Sequence, residues 1–250
     1  MSRNAWIIFC VVVVGILGSL VYISNKNKLD VSGIDASEIQ PASEHNGQIA
    51  DNVFGNRKSK VVLIEYGDYQ CPGCASAFNT LDEISNKYKN EMAFVFRNFP
   101  ITNIHPNALA AAAAAEAAGL NGKFWPMHNE IYSNQDEWQD ASSQERTDIF
   151  TEYAKKVGVD ESKFRDSLTK PAINKKINFD QALGKKVGVT GTPALYLNGK
   201  RLDDLRIKDG KVIQSKDQSL PLVWADAENL EKLVIIPALK EAGIKLPEAK

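Results

Sequence analysis

The stretch that decides the fold is Val61–Cys74, VVLIEYGDYQCPGC. Its first four residues form an unbroken run of aliphatic and β-branched side chains, which is typical of a strand buried on both faces in a sheet that helices cover. A short turn-forming stretch follows, and then two cysteines with the spacing C-x-x-C. The stretch therefore predicts a strand, a turn and a helix, with both cysteines at the start of the helix.

The first cysteine is predicted to cap this helix. Pro72 suits the first helical position, because its missing N–H would be unpaired there and its φ is already helical. Cys71 then takes the N-cap at the positive end of the helix dipole, where a thiolate is favoured over a thiol. Cys74 lies one turn further in, and apolar residues follow it at helical spacing: Phe78, Leu81, Ile84 and Tyr88. We therefore expect an accessible, acidic Cys71 and a shielded Cys74.

Two thiols placed in this way suit disulfide exchange. Exchange proceeds by attack of a thiolate on a sulfur through a mixed disulfide, so it needs one accessible thiol of low pKa and a second thiol that resolves the intermediate. Half of a structural zinc site is the alternative, but the only other cysteine is Cys10, and the three histidines show no ligand spacing. We expect no metal, and no cofactor other than the redox-active pair Cys71 and Cys74.

The N-terminal segment predicts a membrane anchor. Trp6–Ile23 is an uncharged run of 18 residues, and at about 1.5 Å per residue a helix of this length just crosses a hydrocarbon core of roughly 30 Å. A cleaved signal peptide and a buried core helix are the alternatives. We interpret residues 1–24 as the anchor, with membrane lipid as its partner.

A polar segment follows the anchor. Asn, Ser, Asp, Glu and Gly dominate it up to about Ser59, with only scattered apolar residues. We interpret residues 25–53 as a tether and residues 54–250 as the folded domain. The alternative is that the polar segment packs on the domain as an extra strand or helix.

A long helical insert is predicted over about residues 103–186. Ala108–Ala118 is a strong helix former that Gly119 closes. Helical periodicity continues in four further segments: 122–138, 142–157, 160–168 and 171–186. We interpret the aromatic pair of the insert, Phe124 and Trp125, as packing residues.

Predicted strands flank this insert. Met92–Phe99 precedes it, and Ala194–Leu197 follows it and ends at an Asn-Gly hairpin signal. A short strand over Lys211–Gln214 and a helix over Asp226–Ala242, which Pro237 is expected to kink, complete the chain.

These features resemble a known fold and family. The strand leading to CPGC, the Thr192-Pro193 pair before a strand, the helical block between them and the final helix are similar to a thioredoxin fold with a helical insertion. The segments YGDYQCPGC, RNFP, HPNALAAAAAAEAAG, KFW and GVTGTPALYLNGK resemble the DsbA-like thiol:disulfide oxidoreductases, especially their membrane-anchored branch. The resemblance covers about Phe54–Ala242 and implies an α/β, DsbA-like fold, preceded here by an N-terminal transmembrane helix.

The resemblance also implies how substrate is bound. Pro193 is expected to be cis and to abut the cysteine pair, and the backbone of Thr192 then pairs with an extended substrate as an added strand. An ordinary trans proline that opens an edge strand is the alternative. Pro72 and Gly73 are expected to border the substrate and to tune the redox potential. They depart from the Pro-His of strongly oxidising members, so we expect a moderately oxidising protein.

Glu65 is a further candidate, since it is a charged residue near the end of an otherwise apolar strand. In the resembling family a carboxylate at the matching place lies beneath the cysteines and takes or returns the proton of the buried thiol. A buried carboxyl group with a raised pKa suits that role. The alternative is a strand-end carboxylate that reaches solvent.

The function that these features favour is that of an extracytoplasmic disulfide oxidase, a single-pass cell-membrane protein. The resemblance implies reduced or unfolded exported proteins as substrates, and a membrane quinone reductase of the DsbB-like or VKOR-like kind as the reoxidant. A disulfide reductase or isomerase on the same fold, and a non-catalytic binding or chaperone module, are the alternatives. With a net charge of −1 and no basic run, the sequence gives no indication of a nucleic-acid partner.

Overall fold

The central feature of the protein is a five-stranded mixed sheet. The structure is a computed structural model that describes residues 3–26 and 29–247, so parts of the predicted anchor (1–2), tether (27–28) and domain (248–250) lie outside the described residues. The strands of the sheet are β1 Val53–Gly55, β2 Val62–Gly67, β3 Ala93–Asn98, β4 Ala194–Leu197 and β5 Lys200–Arg201. Their order is β1-β3-β2-β4-β5.

Strand β2 occupies the middle of this sheet and leads to the cysteines, as its apolar run predicts. It runs parallel to β3, with Leu63 opposite Phe94, and antiparallel to β4, with Glu65 opposite Leu195. Every residue of β2 after the first is buried. The strand therefore delivers the cysteine turn to one end of a sheet whose two faces are covered.

The helix that follows the turn is α2, Pro72–Lys87, and it begins as predicted with Cys71 at the N-cap and Pro72 in the first turn. Leu81, Ile84 and Tyr88 are buried in one of the apolar clusters that pack on the sheet. Phe78, which the same pattern assigns to the buried face, is only half-buried.

The predicted helical insert separates β3 from β4. Its helices are α3 Ala108–Gly119, α4 Phe124–Ser133, α5 Gln135–Trp138, α6 Ser143–Lys156, α7 Glu161–Leu168 and α8 Pro171–Lys186. The prediction of one helix over 122–138 is wrong. The chain leaves the helix at Asn134, whose side-chain amide donates a 2.8 Å hydrogen bond to the carbonyl of Glu130, and such local bonds compete with helix continuation.

The C-terminal part adds elements that the sequence pattern does not reveal. Strand β6, Leu205–Lys208, pairs with the predicted β7, Lys211–Gln214, in a separate two-stranded sheet. The final helix is divided into three consecutive parts: α9 Ala227–Leu230, a π-helical turn Glu231–Ile235 and α10 Ile236–Glu241. Pro237 lacks the N–H that would continue the α-helical ladder, and a wider turn precedes it.

The polar segment before β1 differs from the predicted tether. Val31, Ala36 and Asn46 are buried against the domain. Arg97 of β3 donates hydrogen bonds of 2.6 and 2.7 Å to the carbonyls of Ala36 and Glu38. The described part of this segment therefore packs on the domain, because its polar groups are paired with side chains far along the chain. It does so without the extra strand or helix of the alternative, since residues 29–52 form only turns and irregular structure.

The predicted anchor segment forms helix α1, Arg3–Lys26. Apolar side chains such as Trp6, Ile7 and Val14 are more than half exposed, at 55%, 56% and 68%. Across residues 3–26 and 29–247, no helix is both long and apolar enough to cross a membrane.

Candidate active site

The two cysteines lie in different surroundings at the start of α2. Cys71 has an extended backbone conformation and makes no side-chain capping bond. Cys71 retains only 8% exposure, so it is buried and not accessible as expected, and Cys74 has no exposure. Both thiols are free. Within the two described ranges, no group of three or more His, Cys, Asp or Glu side chains is arranged to hold a metal ion. The structure thus separates an outer thiol from an inner one.

Hydrogen bonds and burial give the two thiols opposite acidities. A hydrogen bond from the Cys74 thiol is the largest influence on Cys71, and it lowers the pKa of Cys71 to about 5. Burial opposes this change, while the backbone N–H groups of Gly73 and Cys74 support it. Burial is also the main cause that raises the pKa of Cys74 well above its usual value, and the charge of Glu65 adds to it. Only the outer thiol is therefore ionised near neutral pH.

The Thr192-Pro193 pair lies against the outer cysteine. Its peptide bond is cis, as predicted. In its protonated form, the Cys71 thiol donates to the carbonyl of Thr192 over 3.3 Å. A Cβ atom added to Gly73 would lie 3.2 Å from Pro193 Cδ and 3.6 Å from Cys71 Sγ, while Pro72 is exposed. The structure thus brings together all of the residues predicted to border the substrate.

Glu65 lies behind the cysteines and does not reach solvent. It is 2% exposed, and its Oε1 atom has no hydrogen-bond partner in the described part of the chain. Burial is the main cause that raises its pKa to about 8, and the charge of Cys71 is the second. A Cβ atom added to Gly67 would lie 2.9 Å from Glu65 Oε1, so the carboxyl group occupies the face of β2 next to the cysteine turn. The alternative of a solvated carboxylate is wrong.

Asp68 holds this turn, and the sequence interpretation did not single it out. Its Oδ2 atom accepts a 2.7 Å hydrogen bond from the N–H of Ile101 and lies 2.8 Å from His105 Nδ1. Its Oδ1 atom accepts from the N–H of Gln70 over 2.8 Å, and its own N–H lies 3.5 Å from Cys74 Sγ. An Asp in a turn commonly accepts a hydrogen bond from the backbone N–H two residues further along the chain. This pattern could have identified Asp68 from the sequence.

The helical insert fixes the same turn from the other side. Gln70 accepts a 2.7 Å hydrogen bond from the N–H of Asn107 and donates one of 2.8 Å to the carbonyl of Gln139. Gln135 donates a 2.6 Å bond to the carbonyl of Tyr69. The insert therefore positions the backbone that carries Cys71.

A second buried polar region lies between β3, the insert and the segment before β1. We call it the charged cluster and define it by Asp51, Arg97, Glu116, Lys176 and Asp180, all of which are buried. Lys176 Nζ lies 2.8 Å from Asp51 Oδ1 and 2.6 Å from Asp180 Oδ1, and Arg97 Nη2 lies 2.7 Å from Asp51 Oδ2. Burial opposes the ionisation of Asp51, but Lys176 and Arg97 outweigh it and lower the pKa of Asp51.

The chain matches one family model and is similar to segments of longer known proteins. A family model described as Thioredoxin matches residues 48–212. The Na+/H+ antiporter NhaA 1 of Mycolicibacterium vanbaalenii is 34% identical over 155 residues, which are 60% of this chain and 24% of the antiporter. The NhaA 1 of Salinispora arenicola is 35% identical over 151 residues, 60% of this chain and 22% of the antiporter. The chain spans about a quarter of the length of these curated relatives.

Solved structures give the second comparison. The thiol-disulfide exchange protein alpha-DsbA2 from Wolbachia pipientis is 27% identical with a TM-score of 0.53, covering 60% of this chain and 77% of that one. BdbD from Bacillus subtilis has a TM-score of 0.57 at 21% identity, covering 81% and 98% of the two chains, and shows the fold alone. The predicted resemblance to DsbA-like thiol:disulfide oxidoreductases, and with it the class of enzyme, is confirmed.

Proposed function

The chain belongs to the thioredoxin family, and on that premise we propose that it is an extracytoplasmic oxidase that introduces disulfides into exported proteins through Cys71 and Cys74. The observation that carries the proposal is the pair of unequal thiols. The N-capping Cys71 has a pKa of about 5 and lies against Thr192 and Pro193, whereas Cys74 is buried behind it. One thiol suits attack by a substrate, and the other suits resolution.

The proposed reaction begins with the Cys71–Cys74 disulfide. A substrate thiolate attacks Cys71 Sγ, a substrate–Cys71 bond forms, and the bond between the two cysteines breaks. Cys74 leaves as a thiolate and takes the proton of the Glu65 carboxyl group, whose raised pKa keeps it protonated until then. A second substrate thiolate then attacks the substrate sulfur and releases Cys71. Its low pKa makes Cys71 a good leaving group, and the enzyme ends as a dithiol.

Substrate binding in this proposal uses the backbone next to the cis bond. An extended peptide that pairs with Thr192 gains main-chain hydrogen bonds without a strict requirement for particular side chains. Exposed Pro72 and neighbouring Gly73 border the same place. This mode of binding suits reduced or unfolded exported proteins, whose chains are extended and varied in sequence.

The location and the reoxidant are part of the same proposal. Stable disulfides form outside the reducing cytosol, and the exposed apolar side chains of α1 favour attachment to the cell membrane, with the domain on the extracytoplasmic side. A membrane quinone reductase of the DsbB-like or VKOR-like kind is the proposed acceptor of the electrons that Cys71 and Cys74 collect.

The first test is capture of the mixed disulfide. Cys74→Ser keeps the attacking thiol and removes the resolving one, so with an oxidised small-molecule donor and a reduced, unfolded substrate it should accumulate adducts through Cys71 on non-reducing gels. Cys71→Ser should give none and should lose activity. A Cys71→Ser protein that keeps its function would favour a binding or chaperone module instead.

The equilibrium redox potential separates oxidase from reductase. We expect the full chain, titrated against glutathione, to lie between the values of about −270 mV for thioredoxin and about −120 mV for DsbA. The Pro-Gly dipeptide lacks a histidine beside Cys71 that would stabilise the thiolate further. A potential near that of thioredoxin would favour the reductase and call for an electron donor.

A further inference from the structure

A cavity with a volume of about 720 Å³ lies at the opposite end of the five-stranded sheet from the cysteines. Its walls are the turn between β4 and β5, the hairpin of β6 and β7, and the final helix. Lys60, just before β2, lines its mouth, whereas Cys71 follows the other end of that strand. The six residues of β2 span roughly 20 Å at about 3.3 Å each. A ligand in this cavity therefore leaves Cys71 uncovered.

Apolar and polar side chains are segregated in this cavity. Its apolar lining residues are buried or half-buried, with the exception of exposed Pro237. They include Leu197, Leu205, Val212, Leu233 and Val234. Every polar residue of the described lining is exposed, which places the polar groups at the mouth: Lys60, Asn198, Lys200, Arg201, Gln214 and Glu241. A ligand that matches both parts has an apolar body and a polar group at one end.

The mouth of the cavity carries an excess of positive charge. In the described part of the chain, the lysines that form ion pairs do not include Lys60 and Lys200. Arg201 is paired with Asp203, since its Nε atom lies 2.7 Å from Asp203 Oδ2. Glu241 is the one carboxylate among the described lining residues. The two lysine ammonium groups therefore favour a ligand whose polar end is an anion.

The final helix is irregular where it lines the cavity. Leu233 and Val234 belong to the π-helical turn Glu231–Ile235, and single turns of this kind are frequent at functional sites. The volume of the cavity lies within the range of about 300–1,000 Å³ that is usual for small-molecule pockets, which are mostly apolar with a few polar groups. The size and the lining therefore favour a small amphipathic molecule as the occupant, rather than a folded protein.

We propose that this cavity is a binding site for one long-chain fatty acid, with its chain against the leucine and valine side chains and its carboxylate at Lys60 and Lys200. Each methylene group that enters the cavity is removed from water, which favours binding. The carboxylate stays at the exposed mouth, so its charge is not buried, and the two ammonium groups attract it. Affinity should therefore rise several-fold for each pair of methylene groups added to the chain.

The test is photolabelling of the full chain, held in nanodiscs of zwitterionic lipid, with a hexadecanoic acid that carries a diazirine group in the middle of its chain. Mass spectrometry of the peptides locates the label, and competition by unlabelled hexadecanoate gives the affinity. We expect saturable label in the peptides that contain Leu205, Val212 and Leu233. Label confined to α1, whose apolar side chains are exposed, would overturn the proposal.

Charge reversal at the mouth tests the binding of the carboxylate. Lys60→Glu combined with Lys200→Glu should weaken the affinity for hexadecanoate about tenfold, because repulsion replaces attraction. The matched control is Lys163→Glu combined with Lys170→Glu, which makes the same change in net charge at exposed positions outside the cavity and should keep the natural affinity. Hexadecanol, which has the same chain without a charge, should compete about tenfold more weakly than hexadecanoate. Equal affinities of the two double variants, or of the two competitors, would overturn the proposal.

A further variant tests the binding of the chain. Ala238 is half-buried in the lining, so Ala238→Phe places a ring inside the cavity and should abolish the label at Leu205 and Leu233. Its control is Ala225→Phe, at an exposed position outside the lining. Label that persists in a folded Ala238→Phe protein would contradict the site, and if this variant does not fold, the lysine variants decide, since they change only exposed side chains. Photolabelling involves no thiol chemistry, so its outcome does not depend on the proposed oxidase.

Discussion

Glu65 and Asp51 are both buried carboxyl groups, but their surroundings differ in the property that decides ionisation. Asp51 accepts from Arg97 and Lys176 at 2.7 and 2.8 Å, and these two cations lower its pKa. Among the described residues, Glu65 has an unpartnered oxygen and no cation that lowers its pKa, and burial raises its pKa to about 8. With similar burial, Asp51 therefore carries a fixed structural charge, whereas Glu65 carries a transferable proton. The difference comes from the cations that neighbour Asp51.

The largest effect is expected in the charged cluster. Asp51→Ala leaves Arg97 and Lys176 buried with one counter-charge fewer, so the free energy of unfolding should fall by about 3–5 kcal/mol. Chemical denaturation measures this loss. Asp166→Ala, at an exposed position, is the control and should change stability by less than about 0.5 kcal/mol. A similar small change in Asp51→Ala would contradict the structural role of the cluster.

The next largest effect is expected on the rate at which the Cys71–Cys74 disulfide is reduced. Glu65→Gln keeps the shape of the side chain but removes the transferable proton, so reduction of the Cys71–Cys74 disulfide in a single turnover should slow about 100-fold at neutral pH. Stopped-flow fluorescence with a small dithiol measures the rate. Glu116→Gln makes the same change in the charged cluster and should leave the rate unaltered. Equal rates in all three proteins would remove Glu65 from the mechanism.

The two regions should also respond to pH in opposite ranges. The pKa of Glu65 is raised from 4.5 to about 8 by folding, so the unfolded state binds fewer protons and stability falls between these values, by up to about 1.4 kcal/mol per pH unit. The pKa of Asp51 is lowered from 3.8, so its contribution is present above pH 3.8 and is lost in acid.

Denaturation across the pH range checks this contrast. Subtracting the curve of Glu65→Gln from that of the natural protein should leave a decline confined to the range between about pH 4.5 and pH 8. Asp51→Asn should be less stable than the natural protein at neutral pH, and this difference in the free energy of unfolding should disappear only in strongly acidic solution. A flat difference curve for Glu65→Gln would mean that Glu65 is not protonated at neutral pH.

The smallest effect concerns Cys71 alone. Because the hydrogen bond from Cys74 is the largest cause of its acidity, Cys74→Ala should raise the pKa of Cys71 by roughly one unit. The pH dependence of its alkylation by iodoacetamide, in a Cys10→Ser background, gives this value. Asp51→Asn is the control and should leave it unchanged. No rise in Cys74→Ala would assign the acidity to the helix terminus and the backbone instead.

The strand, turn and helix around Cys71 and Cys74 could be predicted, because the residue patterns that determine them are local. The apolar run of β2, the proline after Cys71 and the helical spacing of α2 all lie within Val61–Tyr88, and each acts over a few residues. The strand pattern singled out Glu65 as a candidate, but its position behind the cysteines depended on the resemblance. The cis bond and the nearness of Pro193 depended on the resemblance, because 121 residues separate Thr192 from Cys71 and no local signal connects them.

The charged cluster could not be predicted in the same way. Asp51 belongs to a polar segment that has the composition of a linker, and its partner Lys176 lies 125 residues further along. Arg97 is a charged residue in a short strand, which by composition suits an exposed position equally well. Nothing in the local pattern tells a charge that will be paired and buried from one that will remain hydrated.

The pairing of Asp51 with Lys176 also affects the protein during its synthesis. At about 5–20 residues per second, the 125 residues between them take roughly 6–25 s to make, and the ion pair between Asp51 and Lys176 cannot form until then. Cys71 and Cys74 are already made in this interval, while the helices that cover Cys74 are still incomplete. The inner thiol is therefore open to oxidants early in the life of the chain and becomes buried only when the parts of the helical insert that pack with it have been made.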